Sequence, residues 1–327
     1  MLCTALTLTT ACQQTLPPTE DPQPSVVEFR ASSQATWVKS ETNTTPQNQP
    51  FPYANFGVWG IARQNGNANY ILWDEDDFSR VSQKEENSAT YVPDEVAYWF
   101  SNHTYNFIAI APFDTFEGDN ISVAIGSGNT QDAISFNYAM TGNHEVLAAG
   151  VITPVSVGAS RPSSQPLTFW HLFTKLKINV NFSNLGNNED NTPITGSVSK
   201  ISLHNVNSHG TYTISFDENN QLSVVCLEND NTEDKTLHFS NGETKYILPQ
   251  IITDFELYLD FTIGRVEYKD FKVNITANAN NPSEYKYNES YTWNISIGPK
   301  AAISFKVAVA QWNESQVGGD GNDIDIV

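Results

Sequence analysis

Leu176-Lys-Ile-Asn-Val-Asn-Phe182 is the stretch that decides the fold. In an extended chain, Leu176, Ile178, Val180 and Phe182 fall on one side, and Lys177, Asn179 and Asn181 on the other. A helix would scatter the same residues around its axis. The period of two returns in Phe255-Glu-Leu-Tyr-Leu-Asp-Phe-Thr-Ile263, Phe271-Lys-Val-Asn-Ile275, Tyr291-Thr-Trp-Asn-Ile-Ser-Ile297 and Ile303-Ser-Phe-Lys-Val-Ala-Val309. Each reads as a half-buried strand. Gly210, 217–220, Asn241-Gly242, 278–282 and Gly298-Pro299 supply the turns between them. Tyr105-Asn-Phe-Ile-Ala-Ile-Ala111 is apolar on both faces and reads as a central strand. Helical periodicity is scarce. Only 74–81 and 166–173 could form a turn or two, the first opening on acids suited to a helix N-terminus.

Short alternating strands at regular spacing predict an all-β chain of antiparallel β-sandwich domains. Small residues and two prolines at 157–166 interrupt the apolar pattern and mark the expected domain break. The expected organisation is a signal peptide over 1–11 and a Pro-rich tether over 12–25. An N-terminal sandwich over 26–158 and a C-terminal one over 159–327 follow, each of ordinary domain size.

Composition narrows the functions. Lys and Arg number 17 and Asp and Glu 37, for a net charge of −20. Nucleic-acid binding needs clustered cations to displace counterions, so no nucleic-acid partner is expected. An anionic lipid surface would repel the chain as well. Yet 39% of residues are hydrophobic, 12% aromatic and only 17% charged, unlike an acidic disordered chain. Neutral Asn, Thr and Ser replace the missing charge. No apolar run is long enough for a transmembrane helix.

The N-terminus points to another kind of membrane attachment. Leu8-Thr-Thr-Ala-Cys12 reads like a bacterial lipobox, with Cys12 as the lipidated residue, followed by a polar tether holding Pro17, Pro18, Pro22 and Pro24. The basic region that normally opens a signal peptide does not stand before Leu2, which fits a start codon further upstream or a truncated sequence. An ordinary cleaved signal peptide is the alternative. Of the cysteines Cys3, Cys12 and Cys226, only Cys226 would remain as a free thiol, so the exported domains would hold no disulfide. The apolar run around Cys226 predicts a buried thiol.

Catalytic motifs are missing. No nucleophile elbow, zinc-protease motif or phosphate loop occurs. Ser197-Val-Ser-Lys200 matches Ser-x-x-Lys formally but lies in 195–206, which reads as a strand, with no companion motif. His103, His144, His171, His204, His209 and His238 are scattered, without metal-ligand spacing. The acids at 74–77, 228–234 and 320–325 read as solvated turns rather than calcium loops. No catalytic residue, metal or cofactor is expected. Trp59, Trp73, Trp99, Trp170, Trp293 and Trp312 could stack on sugars, but most sit in alternating strands where core packing is the simpler role.

Several segments, taken in order, carry a resemblance. They are the lipobox and tether, Phe56-Gly-Val-Trp-Gly60, and Tyr98-Trp-Phe followed by Tyr105-Asn-Phe-Ile-Ala-Ile-Ala-Pro112. Glu145-Val-Leu-Ala-Ala149, Leu167-Thr-Phe-Trp-His-Leu-Phe-Thr-Lys-Leu176 and Tyr246-Ile-Leu-Pro-Gln250 come next, then the closing pair of strands ending at Trp312. Together they resemble the fimbrillin-like lipoproteins of Bacteroides-type bacteria, subunits of major and minor fimbriae. The resemblance implies two transthyretin-like sandwiches and makes His171 and Lys175 structural. It implies a non-enzymatic stalk, tip or anchor subunit of an adhesive pilus, lipid-anchored at the outer membrane and exposed on the cell surface. Its partners would be other fimbrial subunits, in homo- or hetero-polymers, and a maturation protease. That protease would cut after Arg30, or else after Lys39, and the freed groove would accept a strand from the next subunit. The donor would be the tail beyond Trp312, with Ile324, Ile326 and Val327 as plugs. The same tail could instead be a folded terminal strand, as in a tip protein that donates nothing. The rival reading is a surface lipoprotein that binds host or bacterial glycans or proteins without assembling.

Overall fold

The computed structural model describes residues 25–36, 47–63, 70–73, 78–86, 88–100, 103–113, 121–124, 132–139, 145–153, 164–216, 222–228, 235–252, 255–273, 275 and 283–311. The first strands are β1 (Phe29–Thr36), β2 (Gln47–Pro50), β3 (Asn55–Arg63), β4 (Tyr70–Ile71), β5 (Ser79–Gln83), β6 (Thr90–Pro93), β7 (Thr104–Ala111) and β8 (Ile121–Ala124). Then come β9 (Ala133–Ala139), β10 (Leu147–Thr153), β11 (Gln165–His171), β12 (Thr174–Phe182), β13 (Gly196–Val206), β14 (His209–Phe216), β15 (Leu222–Glu228) and β16 (Lys235–Phe239). The last are β17 (Thr244–Ile247), β18 (Gln250–Ile251), β19 (Glu256–Ile263), β20 (Val266–Val273), β21 (Glu284–Tyr285), β22 (Glu289–Ile297) and β23 (Ile303–Gln311). The all-β expectation holds.

The largest sheet runs β11-β10-β7-β3-β5-β6-β1-β2, with β4 on β3, and β1 also pairs with β11. That extra pairing closes the sheet on itself and leaves no free edge between β6 and β11. Its strands serve two cores, because alternate side chains of β3 and β7 point to opposite faces. Phe56, Val58, Tyr105 and Phe107 join Phe29, Trp99, Leu167 and Phe169 in one cluster. Trp59, Ile61, Ile108 and Ile110 join the other, which also holds Phe136 and Tyr212 of the sheet β15-β14-β9-β8. Two apolar faces explain why 105–111 lacks polar alternation. The C-terminal sandwich faces β17-β12-β22-β23 against β16-β13-β19-β20. Leu176, Ile178 and Val180 meet Leu203, Leu257 and Leu259 in its interior, with Trp293 and Phe305. Leu176–Phe182 lies within β12, and Leu176, Ile178 and Val180 are on its buried face.

Most pairings are antiparallel. Among the described residues the exceptions are β1–β11 and β12–β22, which are parallel and join strands far apart in the chain. Parallel partners need a long crossover, so neither pairing shows in local sequence. Pairing also ignores the expected break at 158/159. β11 lies after it but bonds to β1 and β10, and β14 lies after it but bonds to β9.

The possible helix at 166–173 is corrected to strand. Leu167, Phe169 and His171 are buried along β11 while Pro166 is exposed, so the apolar spacing here is two, not three to four. Likewise 79–81 belongs to β5, while 74–77 lies outside the described residues. Gly210 sits within β14. Near the end of β13, Asn205 takes the left-handed region at φ 61°, where the register with β16 shifts between Leu203 and Val206. Cys226 is half-buried rather than enclosed.

Close approach explains the glycines of Phe56-Gly-Val-Trp-Gly60. A Cβ on Gly57 would lie 2.8 Å from the Phe78 Cβ, and one on Gly60 would lie 2.8 Å from the rings of Phe107 and Trp73. Gly60→Ala should therefore lower stability by about 1–3 kcal/mol, the usual cost of overpacking, as a reduced urea midpoint. Gln250 closes Tyr246-Ile-Leu-Pro-Gln250 for a different reason. Its buried side chain accepts from the Asn207 N–H at 2.8 Å and donates to the Leu248 carbonyl at 3.0 Å, tying β18 to the β13–β14 turn. Gln250→Ala leaves that N–H buried without its acceptor and should cost about 1–3 kcal/mol in the same measurement.

A buried polar knot joins the closed sheet to its neighbour. Asp132, just before β9, is 2% exposed. Arg63 of β3 donates to both its carboxylate oxygens, and Asn106 of β7 donates to Oδ2 at 2.6 Å.

Candidate functional site

β1 is the element around which the sequence expectations gather. It lies between β11, in parallel register from Phe29↔Gln165 to Ser33↔Phe169, and the pair β6 and β2 on its other side. Residues before it are also held. The Val27 N–H donates to the Ala97 carbonyl at 2.9 Å, the Trp99 N–H to Ser25 at 3.0 Å and the Gln165 N–H to Glu28 at 2.7 Å. Side chains alternate as a strand demands. Val27 and Phe29 are fully buried, and Ser33 nearly so. The Phe29 ring meets Phe107 edge-on at 5.2 Å and Phe56 at 6.1 Å, with Trp73 at 6.4 Å. Outward, Glu28 pairs with Lys84 at 2.7 Å. That contact is a hydrogen bond as well as a charge pair, and it holds the Lys84 ammonium above its ordinary pKa.

Arg30 stands exposed in this strand, opposite Pro166 on β11 and Thr90 on β6. A cut after it would divide β1 unequally. Val27 and Phe29 would lie on the leaving side. Ala31, Ser32 and Ser33 would stay, in register with Leu167, Thr168 and Phe169. The vacated seat would be apolar, walled by Phe56, Trp73 and Phe107, with unpaired backbone on β6 and β11. Such a seat can accept an extended peptide: backbone bonds supply affinity and alternate side chains supply selectivity.

Other sequence candidates fall elsewhere. Cys12, Lys39, Trp312, Ile324, Ile326 and Val327 lie outside the described residues. Ser197 shares a hydroxyl contact of 2.9 Å with Thr262 on the adjacent β19, and Lys200 pairs with Asp270 of β20 at 3.2 Å, so both Ser-x-x-Lys residues are engaged by side chains of their own sheet. His204, His209 and His238 contact the hydroxyls of Thr236, Ser208 and Ser202. Buried His171 contacts Glu145. No group of three metal-ligating side chains occurs among the described residues. Trp59, Trp99 and Trp293 are buried, and Trp73 donates its indole N–H to the Glu95 carbonyl at 2.8 Å. Lys84 was invisible in the sequence. Only the β5–β6–β1 pairing brings it to Glu28.

The sequence profile of fimbrillin-like proteins matches residues 42–312. The chain belongs to the fimbrillin-like family. Solved structures share this fimbrillin-like fold at low identity. A fimbrial protein from Bacteroides vulgatus superposes with a TM-score of 0.54 and 14% identity, covering 88% of this chain and 99% of the other. A candidate cell adhesion protein from Bacteroides uniformis gives 0.50 and 16%, covering 89% and 100%. No curated protein matches the sequence. The profile match begins after β1, so Arg30 rests on the geometry of that strand rather than on the match. No helix among the described residues is long and apolar enough to cross a membrane.

Proposed function

We propose that this fimbrillin-like chain is a non-enzymatic subunit of a cell-surface fimbrium, and that it joins its neighbours by strand exchange at the seat of β1. Cys12 carries the lipid that holds the precursor at the outer membrane. A trypsin-like maturation protease cuts after Arg30, the segment ahead of the cut departs, and a strand from another subunit replaces it. The donor comes from the tail, with Ile324, Ile326 and Val327 as plugs.

One observation carries this reading. Two fully buried apolar side chains, Phe29 at the start of the strand that closes the sheet and Val27 just before it, precede an exposed arginine. The rest of the closed sheet is built from later residues, so it can persist when residues 25–30 leave. Cleavage requires local release, because a protease binds extended chain free of sheet partners. Burial of Trp59, Trp99 and Trp293 removes half of the tryptophans considered for glycan stacking, which weakens the rival reading.

Limited digestion with a trypsin-like protease should give a product beginning at Ala31, read by N-terminal sequencing. That product should form ladders resistant to detergent on gel electrophoresis. The Arg30→Ala chain should give neither. Cleavage at Arg30 without any higher-order species would refute assembly by this route.

A further inference from the structure

Lys84 sits where it can read the charge of an incoming strand. It follows β5 directly, and its backbone N–H donates to the Thr90 carbonyl of β6 at 2.9 Å, so the sheet fixes its position. Its ammonium meets Glu28, the residue between the two buried plugs Val27 and Phe29. A cut after Arg30 takes Glu28 away with both plugs and removes the Arg30 cation from this edge. Lys84 then faces an empty acid position. Its neighbour Glu85 adds negative charge, and the whole chain carries −20, so approach of a second acidic subunit is repulsive by default.

We infer that Lys84 selects strands of the pattern apolar–acid–apolar, and that the occupant is Ile324-Asp325-Ile326 of a second copy. The inference rests on the strand-exchange reading above. The tail matches the segment it would replace in spacing and charge: Val27-Glu28-Phe29 and Ile324-Asp325-Ile326 both place one acid between two apolar residues. The match is independent of strand direction, because Ile-Asp-Ile reads the same both ways. Both isoleucines then face the seat, and Asp325 faces Lys84, as period two requires. Plugs supply most of the affinity; the ion pair, exposed on the rim, discriminates between partners.

Fluorescence polarisation tests this with a labelled peptide of residues 312–327 and a full chain that is cut after Arg30 and carries Ile324→Asp and Ile326→Asp in its own tail, so that copies cannot fill one another's seats. The parent peptide should bind. Asp325→Lys in the peptide should weaken binding about three- to tenfold at low salt, the scale of a reversed surface charge pair. That difference should shrink at about 1 M salt, where screening reaches within about 3 Å. Lys84→Glu in the chain should weaken the parent peptide similarly, and combining the two reversals should restore binding. A peptide carrying Ile324→Asp and Ile326→Asp should not bind. Binding of the parent peptide with no effect of Asp325→Lys, or no rescue by the double reversal, would overturn the role of Lys84 and leave strand exchange standing. Failure of the parent peptide to bind the cut chain would overturn both.

Discussion

Phe29→Ala should destabilise the uncut protein by about 3–5 kcal/mol, measured by urea unfolding. The ring is fully buried against Phe107 and Phe56, and its loss opens a cavity where β1 closes the sheet. Surrounding aromatics can collapse only partly, since they are held by their own strands. The same change should speed cleavage after Arg30, because β1 then releases at lower cost. Arg30→Ala supplies the contrast. Its side chain is exposed, so stability should change by no more than about 0.5 kcal/mol, while cleavage at that position stops. If Phe29→Ala left both stability and cleavage rate unchanged, β1 would not be the keystone of the closed sheet.

Asp132→Ala should cost a similar amount, about 3 kcal/mol, at the lower end for a broken buried pair because Arg63 keeps some contact with water. The change strands the Arg63 guanidinium and the Asn106 amide together. It acts where the closed sheet meets β9, so loosening should reach the sheet β15-β14-β9-β8 before the C-terminal sandwich. Hydrogen exchange would show that order, with amides of β9 and β14 losing protection first. Asp132→Asn keeps shape and one acceptor and should cost less. Equal losses for Ala and Asn would assign the effect to charge alone.

How far these features were legible in the sequence depends on the range of the interaction behind them. Strand identity is local. Alternation in Leu176–Phe182 follows from the pleat, and the structure buries Leu176, Ile178 and Val180 as that pattern requires. Segment 166–173 misled for the same local reason: Leu167, Phe169, Leu172 and Phe173 mix both spacings over a short run, and the strand ends at His171. The plugs Val27 and Phe29 and the arginine after them stand in the sequence, but their burial needs β11, and no turn or spacing announces a parallel partner so distant. Lys84 and Asp132 are harder still. Each matters through residues on other strands, and a lone lysine or aspartate carries no local signal of its partner.

By itself, then, the sequence determined the all-β class, the strands with clean alternation and the ordered segments of the fimbrillin-like family. Each of these depends on composition or on neighbours within a few residues. Only the tertiary structure decided that β1 closes the first sheet, that β14 pairs across the expected domain break, and that Glu28 faces Lys84. Those outcomes depend on strand register between distant segments, where a shift of one residue would turn Phe29 outward and Arg30 into the core.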